Sequence, residues 1–152
     1  DTGLDVEARK AAASGRPFLG ICVGMQLLYE ASEESPGVEG LGILPGVIRW
    51  LPETVKRPQM QWNVITTVTG ASRGTGAVPP LVRGMDGAWL YFVHSLSADD
   101  QAHAIATTEY GTTVVAASAR DNVMATQFHP EKSDKAGLRL LQNYVNLLEA
   151  AP

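Results

Sequence analysis

The chain has 152 residues, of which 45% are hydrophobic and 18% charged, and its formal net charge is −4. This length and balance are typical of one globular domain with a sizeable core, and a mild negative charge without a run of basic residues argues against nucleic-acid binding. No apolar stretch approaches the roughly 18 residues that a membrane span needs, and the single cysteine excludes an internal disulfide. We therefore expect a cytoplasmic protein that binds neither nucleic acid nor membrane.

The first part of the sequence predicts a helix, a strand and a second helix. Residues 4–14 are rich in alanine and charged side chains, which favours a helix that Gly15 can end. The short apolar run 16–21 predicts a buried strand. Residues 25–32 carry apolar side chains at helical spacing and predict the helix that follows.

Beyond residue 40 the pattern changes to short apolar runs separated by Gly, Pro and Asp, which is typical of strands joined by turns. Six strands are predicted, at 47–51, 62–68, 89–93, 104–109, 113–119 and 123–128. Residues 70–80 are rich in Gly, Pro and Thr and are expected to form an exposed loop.

A final helix is predicted after Ser133, whose side chain can cap it, with Asp134 in the first turn. Its spacing places four apolar side chains on one face, namely Leu138, Leu141, Val145 and Leu148. Helices before and after a set of strands indicate an α/β fold built in layers. Only one helix precedes the strand at 16–21, which in doubly wound folds normally lies near the middle of the sheet, so the chain is expected to begin partway into its fold.

The single cysteine stands between small residues in the run Gly-Ile-Cys-Val-Gly (20–24), directly after the predicted strand. A strand-to-helix elbow requires such neighbours, because bulky side chains would clash in its sharp turn. The start of the following helix is expected to favour the thiolate over the thiol. Cys22 is therefore a candidate nucleophile.

A second motif, Gln-Phe-His-Pro-Glu (127–131), supplies the partners that a nucleophilic cysteine needs. A histidine can take the thiol proton, and an acidic residue can orient the histidine. Taken singly, Cys22 would more often be a core residue, His129 a satisfied polar residue at a strand end and Glu131 a surface carboxylate. As a set in this order, they predict a catalytic triad.

With these motifs and this chain order, the sequence resembles the class I (triad) glutamine amidotransferases over essentially its whole length. The elbow and the His-Pro-Glu motif are common to that class. The segments Pro-Gln-Met-Gln-Trp-Asn (58–63) and Tyr-Phe-Val-His-Ser (91–95) resemble the glutaminase subunits of imidazole glycerol phosphate synthase, which act in histidine biosynthesis. The resemblance implies a flavodoxin-like layered sheet with helices on both faces.

The same resemblance implies an activity and a partner. Cys22 would attack the side-chain amide of L-glutamine, and the ammonia released would pass to a (β/α)₈-barrel cyclase subunit that makes imidazole glycerol phosphate and AICAR. No metal and no cofactor is implied. The residues implied in substrate binding are Gln26, Glu34, Ser95 and Leu96, whereas Trp62, Tyr91 and Lys132 are implied at the interface with the cyclase subunit.

Two departures from the family pattern stand out. The family usually has His where Gln59 stands and Gly where Gln61 stands, both in the segment near the implied interface. Family members also begin with further strands and a Gly-rich loop whose backbone N–H completes an oxyanion hole. Residues 1–152 are therefore expected to be an amidotransferase domain that is incomplete at its N-terminus.

Three alternatives remain open from the sequence. The chain could be the glutaminase component of anthranilate, GMP, CTP or carbamoyl phosphate synthesis, which changes the partner and keeps the chemistry. It could be a cysteine peptidase of the same fold. It could also be a catalytically silent interaction subunit, since the loop that completes the oxyanion hole is not found.

Overall fold

The computed structural model describes residues 3–69 and 78–151. Most of the loop expected at 70–80 therefore lies outside the described residues. Three α-helices are described: α1 (Leu4–Ala13), α2 (Val23–Leu27) and α3 (Asp134–Ala150). The strands are β1 (Phe18–Ile21), β2 (Ala31–Ser32), β3 (Val47–Trp50), β4 (Gln59–Val64), β5 (Thr66–Thr67), β6 (Trp89–His94), β7 (Leu96–Ala98), β8 (Ala104–Glu109), β9 (Thr113–Arg120) and β10 (Val123–Thr126). Single 3₁₀ turns lie at Pro80–Val82 and Pro130–Lys132.

The main sheet has five strands in the order β1-β10-β9-β8-β5. β1 and β10 are parallel, with Ile21 opposite Thr126, and the other neighbours are antiparallel. β1 is the terminal strand of this sheet within the described ranges. Because the carboxyl ends of two parallel neighbours meet at one edge of the sheet, the segments that follow β1 and β10 are brought together there.

Helices cover both faces of the main sheet. One hydrophobic core contains Leu140 of α3 and Met124 of β10, and the other contains Met25 of α2 with Val123 and Ala125 of β10. Successive β10 side chains thus point to opposite cores, as the period of a strand requires. The prediction of a layered α/β fold with helices on both faces is confirmed. Within the described ranges no helix is long and apolar enough to cross a membrane.

Two smaller sheets complete the fold. One has the order β2-β3-β7, and the other is the antiparallel pair β4–β6, called the ribbon below. Five of the six predicted strands lie within a few residues of their observed bounds, whereas the strand predicted at 62–68 begins earlier and splits into β4 and β5 at the buried Ile65. The sequence pattern missed β7, because its three residues follow β6 after a single intervening residue, Ser95.

The helix predicted over 25–32 ends at Leu27, and its last part was predicted wrongly, since Ala31–Ser32 forms β2 and pairs with β3. The backbone turns away at Glu30, whose N–H donates to the carbonyl of Gly46 at 3.1 Å and whose carbonyl accepts from Gly40 at 2.8 Å. Long-range pairing therefore overrides a local helical spacing.

The predicted apolar face of α3 was also largely wrong. Leu138, Val145 and Leu148 are 66%, 41% and 43% exposed, and only Leu141 of the predicted four packs against the core. The buried side is centred on Gly137 and Leu140. A Cβ at Gly137 would lie 1.8 Å from the Pro130 carbonyl oxygen, so the close approach of that turn decides which side of the helix faces inward.

Candidate active site

The candidate nucleophile Cys22 lies in a strained turn between β1 and α2. Its backbone adopts φ 53° and ψ −110°, a conformation that costs a non-glycine residue free energy and that nucleophile elbows share. Its N–H donates to the carbonyl of Thr126 at 2.7 Å, which ties the turn to the end of β10. The predicted strand–elbow–helix arrangement is therefore present.

Gly20 is the small residue that this turn requires. A Cβ at Gly20 would lie 2.7 Å from the carbonyl oxygen of Gly24, whereas a Cβ at Gly24 would meet none of the described atoms within 4 Å. In the sequence the two glycines look equivalent. The steric requirement falls on the residue at the end of β1, where α2 crosses close over the strand.

The Cys22 thiol binds its proton more firmly than a free cysteine. Burial is the largest cause that raises its pKa, the backbone N–H of Val23 lowers it, and the negative charge of Glu131 raises it. The expectation that the start of α2 would favour the Cys22 thiolate is therefore wrong for the isolated chain that the structure describes. The Val23 N–H acts in that direction, but α2 is a short helix and burial outweighs it.

His129 and Glu131 form a close pair. The His129 Nδ1 atom lies 2.6 Å from Glu131 Oε1, which places the imidazole proton on Nδ1 and leaves Nε2 able to accept another proton. His129 follows β10 by three positions and Cys22 directly follows β1, so both residues stand at the carboxyl edge shared by these parallel strands. Glu131 is also close enough for its charge to act on the Cys22 thiol.

The turn that carries this pair is anchored by three hydrogen bonds, which involve Tyr91 and Ser133. The His129 N–H donates to the carbonyl of Tyr91 at 3.0 Å. The Ser133 hydroxyl donates to the His129 carbonyl at 2.6 Å and accepts from the Tyr91 N–H at 2.9 Å. Ser133 precedes α3, but its side chain does not cap the helix, so the capping prediction was wrong. The hydroxyl instead fastens the His129 turn to β6, and Gly137 lets α3 close against Pro130.

The residues implied in substrate binding are only partly brought together. Gln26 and Glu34 line one cavity of about 140 Å³ beside α2, with Glu34 exposed at its edge. Gln26 Nε2 donates to the Leu96 carbonyl at 3.3 Å. The Ser95 carbonyl accepts from the Leu51 N–H at 2.9 Å, so its described contact is with the chain that leaves β3.

A larger cavity, of about 480 Å³, lies elsewhere, between the start of β1 and α3. Pro17, Met124 and Leu147 are among its lining residues, and no candidate site residue is. Its volume is more than three times that of the cavity beside α2. We place the candidate site at the other edge of the sheet, where the His129–Glu131 pair and the strained Cys22 turn lie. Reactive side chains in a suitable arrangement are a better indication of a site than the size of a cavity.

Two buried residues of the motifs at 127–131 and 91–95, for which no role in the site was predicted, lie behind it. Gln127 Nε2 is 3.9 Å from Cys22 Sγ, and Gln127 Oε1 accepts from Gln26 at 3.1 Å. His94 donates from Nδ1 to the Leu96 carbonyl at 2.7 Å, and its Nε2 lies 2.9 Å from the carboxamide of Gln59. Nε2 of a neutral ring with its proton on Nδ1 can only accept, so the NH₂ group of Gln59, which otherwise has no partner among the described residues, is the one that must face it. Burial lowers the pKa of His94 to about 4, so the ring is neutral at pH 7. The departure at Gln59 thus supplies a polar partner to a buried imidazole.

The residues implied at the partner interface form one surface group. The rings of Trp62 and Tyr91 meet edge to face with centroids 6.1 Å apart, and Lys132 Nζ lies 5.9 Å from the Tyr91 ring centroid. Trp62 is 43% exposed, and Met60 on the same face of the ribbon is 62% exposed. We call Met60, Trp62, Tyr91 and Lys132 the ribbon face.

Comparisons with known proteins identify the family and the fold of the chain. A family model described as glutamine amidotransferase class-I matches residues 1–147. An imidazole glycerol phosphate synthase subunit HisH from Herpetosiphon aurantiacus is 48% identical over 149 residues, which are 97% of this chain and 67% of that protein. The subunit HisH of Methanothermobacter thermautotrophicus is 43% identical over 90% of this chain and 65% of its own length. The chain thus spans about two thirds of the length of these relatives.

Solved structures support the fold. A crystal structure named as a glutamine amidotransferase superposes with a TM-score of 0.67 at 16% identity, covering 97% of this chain and 69% of that one. The glutaminase domain of Trypanosoma brucei CTPS gives 0.59 at 15% identity, over 95% and 66% of the two chains. The chain therefore belongs to the class-I glutamine amidotransferase family, within which it resembles the HisH subunits of imidazole glycerol phosphate synthase.

Proposed function

We propose that this chain carries a glutaminase activity, the hydrolysis of L-glutamine to glutamate and ammonia, and that residues 1–152 belong to one amidotransferase domain. The observation that carries the proposal is the juxtaposition of a strained Cys22 turn with the His129–Glu131 pair, hydrogen-bonded at 2.6 Å, at one edge of the sheet. A nucleophile, a base and an orienting carboxylate are the set that acyl transfer needs.

In the proposed reaction, His129 Nε2 takes the proton of Cys22, and the thiolate attacks the side-chain amide carbon of glutamine. The tetrahedral adduct collapses when the imidazolium returns the proton to the leaving nitrogen, which departs as ammonia. His129 then takes a proton from water, whose oxygen attacks the glutamyl thioester. Glutamate leaves and the proton returns to Cys22, so the enzyme is regenerated. Glu131 stabilises the imidazolium in both halves.

Substrate binding is proposed for Gln26, Glu34, Ser95 and Leu96. Gln26 and Glu34 share one cavity, and the carboxylate of Glu34 stands at its edge, where it suits the α-ammonium group of an amino acid. The Leu96 carbonyl and the backbone at Ser95 would lie alongside. The contact between Gln26 and Leu96 supports a common role for these two residues.

The second part of the proposal is that the ammonia is passed to a cyclase subunit, where imidazole glycerol phosphate and AICAR are made. The relatives named above are subunits of imidazole glycerol phosphate synthase. The ribbon face, with Trp62, Tyr91 and Lys132, is the proposed contact with that barrel-shaped subunit in a heterodimer. It offers the exposed side chains of Trp62 and Met60, and aromatic residues and methionine are types that protein interfaces favour.

The raised pKa of Cys22 keeps the thiol protonated, which fits an enzyme whose activity is low until its partner binds. The Tyr91 backbone bonds both the His129 N–H and the Ser133 hydroxyl, so a partner that moves the ribbon face would also move the base. The proposed nucleophile must also stay reduced, which suits a reducing compartment such as the cytosol.

The experiment is ammonia release from glutamine by the intact protein, with and without the purified cyclase subunit, and with Cys22→Ala as the blank. A low rate alone that rises strongly with the cyclase subunit supports both parts of the proposal. Ammonia release that the cyclase subunit leaves unchanged contradicts the proposed partner. A folded protein that forms the complex and releases no ammonia contradicts the glutaminase proposal and favours a silent interaction subunit.

A further inference from the structure

We propose that Gln127 is a positioning residue of the glutaminase site, which presents an N–H donor to the Cys22 sulfur and fixes the orientation of Gln26. The inference rests on the proposed function for the role of Gln26, and on geometry alone for the contact with Cys22. Gln127 is the first residue of the motif at 127–131, but no role in the site was predicted for it from the sequence.

The position of Gln127 is closely held. Its side chain is fully buried, and its backbone N–H donates to the carbonyl of Ala116 at 2.8 Å in the middle of the main sheet. From there the carboxamide reaches α2 with its oxygen, which accepts from Gln26 at 3.1 Å. Its nitrogen lies 3.9 Å from Cys22 Sγ. One side chain thus joins the nucleophile to the residue proposed to bind substrate.

The orientation of both amides follows from a backbone carbonyl. The Leu96 carbonyl can only accept, so the group of Gln26 that lies 3.3 Å from it must be the NH₂ group. The same NH₂ group also lies 3.1 Å from the Gln127 carboxamide, which must therefore turn its oxygen toward Gln26. The remaining group of Gln127, its own NH₂, is the one that faces the sulfur.

The Leu96 carbonyl, which fixes the orientation of both amides, accepts a second hydrogen bond. His94 donates to it from Nδ1 at 2.7 Å, and the ring of His94 is buried beside Gln59. The sequence of contacts runs from Gln59 through His94, Leu96 and Gln26 to Gln127. It ends at the nucleophile.

Two chemical consequences follow. An N–H donor beside sulfur stabilises the thiolate relative to the thiol, which opposes the effect of burial on Cys22. The NH₂ group of Gln26 is occupied by two acceptors, so its oxygen, which has no donor among the described residues, is the group left for a ligand. Gln127 therefore determines that Gln26 offers substrate an acceptor and not a donor.

The test uses two substitutions that separate these consequences. Gln127→Met has nearly the same size and can neither donate nor accept well. Gln127→Glu keeps an acceptor for Gln26 and replaces the donor near the sulfur with a second oxygen. Gln142→Met, on the exposed side of α3, is the matched control for the loss of a carboxamide. Each is made in the intact protein with its cyclase partner, and thermal unfolding confirms that each is folded.

Two readouts are needed. The pH dependence of Cys22 alkylation by iodoacetamide, a small neutral electrophile, reports the pKa of the thiol without any need for glutamine. The steady-state kcat and KM for glutamine report the site. We expect Gln127→Met to raise the pKa of Cys22 by about 1 unit and KM by about 10-fold, because a hydrogen bond to a charged group and the orientation of Gln26 are both lost.

Gln127→Glu is expected to raise the pKa of Cys22 by at least as much, with KM within about threefold of the unsubstituted protein, because the Gln26 contact survives. The inference is overturned if both substitutions leave the alkylation profile unchanged, or if both change KM equally. If the unsubstituted protein alkylates normally and does not hydrolyse glutamine, the proposed function fails, and the alkylation profiles alone decide the contact with Cys22.

Discussion

Cys22 carries its proton in this structure because burial raises the pKa of the thiol, and the nearby carboxylate of Glu131 acts in the same direction. Glu131 therefore has two opposed effects. Its hydrogen bond to His129 orients the proposed base, while its charge disfavours the Cys22 thiolate. These effects can be separated, because only the first requires the imidazole.

Glu131→Gln is expected to change two rates in opposite directions. Glutamine hydrolysis is expected to fall by about 10²-fold, which is the lower end of the loss expected when a general base is misoriented. The loss is at the lower end because Glu131 is half-exposed, so water can replace part of its hydrogen bonding to His129. Alkylation of Cys22 by iodoacetamide at pH 7 becomes faster, because a negative charge that raises the pKa of the thiol is gone. Both rates are measured beside Glu149→Gln, an exposed control at the end of α3. Slower alkylation in Glu131→Gln would contradict the assigned electrostatics.

His94 makes the stability of the fold depend on acid. Its pKa is lowered from 6.5 to about 4 by burial, so the unfolded chain binds a proton between these values and the folded protein does not. The contribution of His94 to the free energy of unfolding is therefore constant above about pH 6.5. Below that pH it decreases, by about 3 kcal/mol at pH 4.

Urea unfolding at pH 7 and pH 4 measures this effect. We expect His94→Gln to lose about 3 kcal/mol less between the two pH values than the unsubstituted protein does. His103→Gln, at a partly exposed histidine bonded to Asp100, should leave the loss due to His94 in place. Equal losses in His94→Gln and the unsubstituted protein would mean that the ring is not held neutral by the fold.

The residues of the proposed triad were predictable because each belongs to a short local motif, the elbow or His-Pro-Glu. Gln127 and His94 also lie in the motifs at 127–131 and 91–95, but no role in the site could be predicted for either of them. Their roles depend on partners far away in sequence, such as Gln26, 101 positions from Gln127. A buried polar side chain leaves no periodic pattern in the sequence, and only the fold shows which carbonyl orients it.

At the scale of elements, the short helix α2 determines where the proposed nucleophile Cys22 lies. It crosses the end of β1 so closely that a side chain on Gly20 would collide with the Gly24 carbonyl. The same principle acts at α3, where Gly137 allows the helix to approach Pro130 and so selects its buried side. The sequence predicted both helices. It could not predict which side of α3 faces the core. The close contact at Gly137 and the predicted row of apolar side chains favour different sides, and only tertiary packing decides between them.

Gly20→Ala and Gly24→Ala form a matched pair that tests the elbow. Gly20→Ala is expected to destabilise the protein by about 1–3 kcal/mol and to lower glutamine hydrolysis, because α2 must move away from β1. Gly24→Ala places a methyl group in open space and removes a helical glycine, so stability should be unchanged or slightly higher. Urea unfolding of the two variants checks the order, and equal destabilisation would contradict the assigned contact.

At the scale of the whole molecule, the proposed site and the ribbon face are joined through one strand. Tyr91 of β6 contributes its ring to the ribbon face and its backbone to the turn that carries His129. The connection between the ribbon face and His129, the proposed base, is therefore short and passes through hydrogen bonds of 3.0 Å or less. This arrangement would let docking on the ribbon face reposition the base.

Trp62→Ala is expected to weaken the complex with the cyclase subunit by about 30-fold, the loss typical of an aromatic hot spot of about 2 kcal/mol. Trp50→Ala is the matched control, because Trp50 is 44% exposed against 43% for Trp62 and belongs to another sheet. Titration of cyclase-stimulated ammonia release gives both dissociation constants. Equal weakening by the two substitutions, or none by either, would place the interface elsewhere.

The glutaminase proposal is tested most directly by trapping the covalent intermediate. The intact protein with its cyclase partner is mixed with isotopically labelled glutamine, quenched in acid during turnover, digested and analysed by mass spectrometry. We predict a labelled glutamyl group on the peptide that contains Cys22, and its absence in Cys22→Ala. Ammonia release in the same samples without any label on Cys22, or with the label on another residue, would contradict Cys22 as the nucleophile.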